Sequence, residues 1–216
     1  MTIRLTNDIK EGMPPQETLT RRQLFKSVLD RTKEISAIAA LLAACGPSAS
    51  PARVEPTPYG WLHFISSNHP YEIDYPARWT TEKKQVGGKM QDIFNGEVSG
   101  NFQTNVIIVS EPTTQSDEAY AKNVEKELIE LKTQALRGAG GPLVGGYWRE
   151  IAGQKASVFH VNFPKEALVM NPEIEFRVAV FVKDKRGWNI ALSCVPSAIP
   201  TEERKFEEML YRFKLR

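Results

Sequence analysis

Tyr71-Glu72-Ile73-Asp74-Tyr75-Pro76-Ala77-Arg78-Trp79 is the stretch whose reading decides the fold. Tyr71, Ile73 and Tyr75 fall on one side of an extended chain, and Glu72 and Asp74 on the other. That two-residue period is the mark of a strand with one buried face. Pro76 cannot continue a hydrogen-bonded ladder, so the strand ends there.

Further strands follow on the same logic. Val106-Ile107-Ile108-Val109 is apolar on both faces, which places it inside a sheet covered on two sides. Asn95-Gly96 reads as a two-residue turn joining Lys89–Phe94 to a following extended segment. Gly153-Gln154 joins Tyr147–Ile151 to Ala156–Phe163, and Asp184-Lys185-Arg186-Gly187 joins Phe176–Val182 to Trp188–Cys194. In the last of these Trp188, Ile190, Leu192 and Cys194 share a face.

Two segments have helical period. In Ser116–Leu136 the apolar residues are Tyr120, Val124, Leu128, Leu131 and Ala135, with Thr114-x-x-Asp117 as a capping box. In Thr201–Phe213, Phe206, Met209, Leu210 and Phe213 form a single stripe, and Pro200 stops the preceding loop. Each helix has one apolar side and needs a sheet to cover it. Short hairpin links make the sheet mostly antiparallel. The predicted class is α+β, helices flanking one mostly antiparallel sheet.

The first 44 residues read as an address. A twin Arg21-Arg22 in Thr20-Arg21-Arg22-Gln23-Leu24-Phe25-Lys26 precedes an apolar run, Ile35 to Ala44, and then Cys45. Basic, apolar and small residues in that order form a secretory signal. Leu42-Ala43-Ala44-Cys45 resembles the lipobox of bacterial lipoproteins. That resemblance implies cleavage before Cys45, a diacylglycerol on its thiol and a lipid-anchored protein on the extracytoplasmic face of a cell or thylakoid membrane. Twin-arginine and general secretory export both remain open, because Asp30, Arg31, Lys33 and Glu34 separate the arginines from the apolar run. Gly46 to Pro58 is rich in Pro, Ser and Ala and reads as a tether. The folded domain then spans residues 59–216.

The chain has 216 residues, 28 Lys and Arg, 26 Asp and Glu and a net charge of +2. Residues 1–44 hold seven basic and five acidic residues, so the whole excess lies in the signal. Balanced charge after Cys45 argues against a nucleic-acid partner. No apolar run reaches the ~18 residues that span a bilayer. Two cysteines exclude a disulfide scaffold.

Chemistry-bearing residues are sparse. His63 and His69 flank a turn, and His160 lies mid-strand, without the convergent spacing of a zinc site. Cys194 reads as a small buried residue, without a histidine nearby in sequence to activate it. Gly138 to Gly146 is glycine-rich, but no Lys-Ser/Thr follows, and helix, loop, strand is the reverse of a phosphate loop. Lys83-Lys84, Lys183 to Arg186 and Arg204-Lys205 read as solvated basic spots, and Trp61, Trp79, Trp148 and Trp188 as core or core-edge residues. The expectation is a non-enzyme with no catalytic, metal or cofactor residues.

Tyr71 to Trp79 also resembles the opening of PsbP-like domains, in which a strand runs into Tyr-Pro, a short turn and Trp. Val106–Val109, the helix started by Ser and Asp, Gly153-Gln154-Lys155-Ala156, Gly187-Trp188 and the terminal Phe206…Met209-Leu210…Phe213-Lys214-Leu215 are similar to the rest of that domain in order. The resemblance covers residues 60–216. It implies an α/β/α sandwich and non-enzymatic protein binding or assembly, with an unidentified protein partner. In a photosynthetic organism it implies an accessory role at photosystem II. Metal binding known in the family is not carried over to any residue. The alternative function is capture of a small ligand or metal ion by a pocket beside Gly138–Gly146. An unrecognised hydrolase using Cys194 or a serine ranks last.

The anchor reading predicts that Cys45→Ser moves the protein from the membrane pellet to the soluble fraction. Retention in membranes after salt washing would reject it.

Overall fold

The computed structural model describes residues 60–135, 145–163 and 173–216. Residues 1–44, Cys45, the tether and residues 138–144 of the glycine-rich loop lie outside that set. In chain order the described elements are β1 (Trp61–Ile65), β2 (Tyr71–Pro76), β3 (Thr80–Val86), β4 (Lys89–Ser99), β5 (Phe102–Pro112), α1 (Asp117–Ala135), β6 (Gly146–Ile151), β7 (Gln154–Phe163), β8 (Ile174–Lys183), β9 (Arg186–Cys194), α2 (Ile199–Tyr211) and β10 (Lys214–Leu215).

Every pairing among the described strands is antiparallel. Seven strands form the main sheet in the order β3-β4-β5-β9-β8-β7-β6. The predicted single sheet is joined by a second, three-stranded one, β1-β2-β10, so the Tyr71 strand lies outside the main sheet. The class, α+β and mostly antiparallel with flanking helices, is as expected.

β5 shows why the main sheet is covered twice. Ile107 and Val109 enter the core beneath α1, with Tyr120, Val124 and Leu128. Val106 and Ile108 enter the opposite core, with Tyr71, Phe206 and Phe213. Trp188, Ile190, Leu192 and Cys194 share that second face, as the alternation required. The layers are α1, the seven-stranded sheet, and then α2 beside the small sheet. An aromatic cluster joins the last two layers: Tyr71 stacks on Phe213 at 5.1 Å, and Trp188 meets Tyr71 edge-on at 5.8 Å.

The hairpin at Asp184-Lys185 forms with positive φ at both residues, and the turn of the β6–β7 hairpin is Ala152-Gly153. Asn95-Gly96 is not a turn. β4 runs through it to Ser99, with a bulge between Asn95 and Val98, and the chain reverses at Gly100-Asn101. Gly96 serves a different need: a Cβ there would come within 2.7 Å of the Trp79 indole. The glycine lets a buried ring lie against the strand.

The helix starts also differ in detail. Ser116 Oγ, not Thr114, accepts from the Ala119 N–H, at 3.3 Å. Asp117 instead accepts from Val182 N–H at 2.6 Å, tying the first turn of α1 to β8. Pro200 sits within the first turn of α2, where a missing N–H costs nothing, so α2 begins at Ile199.

Gly187 meets the same kind of constraint as Gly96. A Cβ there would lie 2.3 Å from the Tyr120 ring, which anchors α1 to the sheet. Gly187→Ala displaces that ring and is expected to lower unfolding stability by ~1–3 kcal/mol in urea titrations. A change below the error of the titration would show that α1 shifts freely.

Candidate functional site

Two places concentrate polar and aromatic side chains. The first lies between the sheets. Its centre is Asp92 on β4, a carboxylate with 1% exposure. Ser66 Oγ donates to it at 2.5 Å, Tyr71 Oη at 2.8 Å and Asn68 Nδ2 at 3.3 Å. All three donors come from the small sheet or the loop between its strands. Burial and the Asp92 charge hold the Tyr71 phenol well above its ordinary pKa, so it stays a donor.

His69 lies next to this carboxylate. Its Nε2 faces the Met90 carbonyl at 3.0 Å and its Nδ1 faces Ser110 Oγ at 2.9 Å. A carbonyl only accepts, so Nε2 carries the proton and Nδ1 receives the Ser110 hydroxyl hydrogen. Arg186 donates to the same Ser110 oxygen through Nε and Nη2, at 3.1 and 2.9 Å. Burial pushes the His69 imidazole below its usual pKa, outweighing the Met90 carbonyl and the Asp92 charge. Tertiary folding thus brings a serine, a histidine and an aspartate together where sequence showed no such group. They do not form a relay: the second histidine nitrogen goes to a carbonyl, and Asp92 is occupied by Ser66, Tyr71 and Asn68.

The other residues singled out in the sequence lie apart. His63 pairs with Asp74 across β1 and β2 at 2.8 Å. His160 lies under the Tyr147 ring, 5.6 Å away, and burial, helped by Arg177, lowers its pKa. Cys194 is fully buried, and burial reinforced by the Glu202 charge pushes its thiol up to about 12. Among the described residues no three His, Cys, Asp or Glu side chains converge as metal ligands. Lys83 donates to Ser67 at 2.7 Å, and Lys205 bridges Glu202 and Glu97. Trp79 and Trp188 are core residues as expected, but Trp148 is 47% exposed.

Trp148 marks the second place, the outer edge of β6. A groove of about 390 Å³ lies between α1 and the β6–β7 hairpin, lined by Ala121, Phe159, Gly146 and Trp148 and rimmed by Glu118, Lys122 and Glu125. Lys155 stacks over one face of the Trp148 indole at 4.1 Å. On the other side of the strand Tyr147, 41% exposed, donates to Glu207 at 3.0 Å, and Arg149 pairs with the same carboxylate. No described strand covers this edge. Sequence reading missed Ser66, Asp92, Ser110 and Tyr147. Neighbouring glycines offered the only hint at Trp148.

The sequence matches no protein-family model and no curated protein. Solved structures do match. Cyanobacterial PsbP (CyanoP) from Synechocystis superposes with a TM-score of 0.55 at 16% identity, over 79% of this chain and 100% of that one. The domain has a PsbP-like fold. LpqN of Mycobacterium tuberculosis, involved in cell envelope biogenesis, superposes at a TM-score of 0.45 and 9% identity, over 73% of this chain and 92% of that one. A Bacteroides thetaiotaomicron protein does so at 0.44 and 15% identity over 71% of this chain, which spans about half of that protein's length, 48%.

The buried histidine makes stability depend on pH. His69 has a lowered pKa when folded, so between that value and the ordinary ~6.5 the unfolded chain binds the extra proton. Its contribution is complete above ~6.5 and declines as pH falls toward the folded value. Urea midpoints are expected to drop between pH 7.5 and 5.5. In His69→Gln the decline is shallower, with the His160 share remaining. An identical decline in that variant would remove His69 as a cause.

Proposed function

We propose that this chain is a lipid-anchored extracytoplasmic protein whose PsbP-like domain binds another protein through the β6 edge and catalyses no reaction. The observation that carries the reading is the contrast between the two edges of the main sheet. β3, at one end, presents Thr80-Thr81-Glu82-Lys83-Lys84-Gln85-Val86, whose charges repel an added strand. β6, at the other, presents Tyr147 and Trp148, each more than 40% exposed, beside an apolar-floored groove. Large aromatics at an edge that no described strand covers suit partner recognition, since they bury much area with few rotatable bonds.

The non-enzymatic half draws on how the reactive groups are held. Ser110 both donates to His69 and accepts from Arg186, at 6% exposure. The Cys194 thiol stays protonated at neutral pH. The anchor half draws on Leu42-Ala43-Ala44-Cys45.

A photo-crosslinking amino acid placed at Glu150, irradiated in intact membranes, is expected to give a discrete protein adduct. The same group at Lys84 on β3 should give none. No adduct at Glu150, or equal adducts at both, would reject the reading.

A further inference from the structure

We propose that the partner taken by the β6 edge is a second copy of this chain, bound by antiparallel β6–β6 pairing about a two-fold axis at Trp148. This rests on the reading of β6 as a protein-binding edge and names its occupant.

The ladder itself defines the free groups. His160 N–H donates to the Gly145 carbonyl at 3.3 Å, and β6 pairs with β7 in the register Gly146↔Phe159 through Ile151↔Gln154. In an antiparallel ladder alternate residues bond to the same neighbour. Residues 145, 147, 149 and 151 therefore bond to β7. The N–H and C=O groups of Gly146, Trp148 and Glu150 point away from the sheet.

A two-fold axis perpendicular to the sheet keeps each face on its own side and pairs residues of like parity. Centred on Trp148, it sets Trp148 against Trp148 of the second copy, and Gly146 against its Glu150. All three outward residues are then bonded, about six main-chain hydrogen bonds in total. The intervening non-bonded pair is Tyr147 with Arg149 of the second copy, made twice by symmetry. Their side chains lie on the α2 face, at the closest spacing a sheet offers, and a guanidinium over a phenol ring is attractive. On the α1 face, Lys155 covers one side of each indole and leaves the other for the symmetry-related Trp148.

Other two-fold registers fit worse. Centring on Arg149 or Glu150 sets like charges opposite one another. Centring on Tyr147 pairs Glu150 with residue 144, beyond the strand, and loses bonds. The interface is isologous and uses one edge, while the opposite edge carries Glu82, Lys83 and Lys84, so assembly closes at two copies.

The test uses the full chain carrying Cys45→Ser, which leaves Cys194, a buried thiol, as the remaining cysteine. Sedimentation equilibrium up to ~100 μM is expected to show a dimer, with Trp148→Lys raising its dissociation constant at least ~10-fold. Glu150→Pro, which removes an N–H that points away from β7, should act in the same direction. Register is read by cysteine pairing: Trp148→Cys forms an interchain disulfide on mild oxidation and Tyr147→Cys does not, because only residue 148 opposes itself. A monomeric parent chain, or equal disulfide yields at 147 and 148, overturns the proposal. If that monomeric chain still gives a Glu150 adduct with a different protein, the protein-binding reading stands and only the second-copy assignment falls.

Discussion

A buried carboxyl group needs donors to replace the water it has lost, and Asp92, at 1% exposure, takes Ser66, Asn68 and Tyr71 from the small sheet and its loop. That constraint holds the two sheets in one arrangement. The small sheet has strands of five, six and two residues, too little to be stable alone. The aromatic contacts of Tyr71 with Phe213 and Trp188 supply apolar attraction, but such contacts tolerate sliding. The three hydrogen bonds to Asp92 do not. Replacing the carboxylate leaves Ser66 and Tyr71 as buried donors without a partner, which is the costly half of a lost hydrogen bond.

The same constraint decides which groups are available for chemistry. Ser110, His69 and Arg186 extend the Asp92 network from β2 across β4 and β5 to β9. Both His69 ring nitrogens and the Ser110 hydroxyl already have partners. His69 stays neutral through burial, and a neutral imidazole donating to a carbonyl and accepting from a hydroxyl is a structural strut. The cluster has the residue types of a hydrolase with a different connectivity, in which Asp92 bonds Ser66, Asn68 and Tyr71 and not the imidazole.

Much of the fold is legible in the sequence because its information is local. Period-two alternation in Tyr71–Tyr75, doubly apolar Val106–Val109 and the Asp184-Lys185 turn each depend on neighbours within a few residues. Asn95-Gly96 misleads because one glycine property, its small volume, serves both tight turns and close packing; only the Trp79 ring above it tells them apart. β10 has two residues and takes its conformation from β2, through Lys214↔Glu72 and Leu215↔Tyr71. The Asp92 cluster is not legible at all, since residues 66 to 186 converge through sheet topology. Trp148 reads as core or core-edge in sequence because an aromatic on a strand looks the same whether or not a further strand follows.

The geometry also separates the two ends that the proposed function needs. The described domain starts at Gly60, whose carbonyl accepts from Ala77 N–H, beside the small sheet. That sheet packs over the β4 side of the main sheet, where Phe64 meets Phe94 at 5.1 Å. From β4 the order runs β5, β9, β8, β7 and β6. At about 4.8 Å per step, β6 lies ~24 Å away. Under the proposed anchoring, the attachment would therefore lie near one end of the sheet and the aromatic edge at the other. The charged β3 strand lies next to β4, on the same side as Gly60. Sheet order thus sets the charged β3 edge near the first described residue, Gly60, and the β6 edge proposed for partner binding away from it.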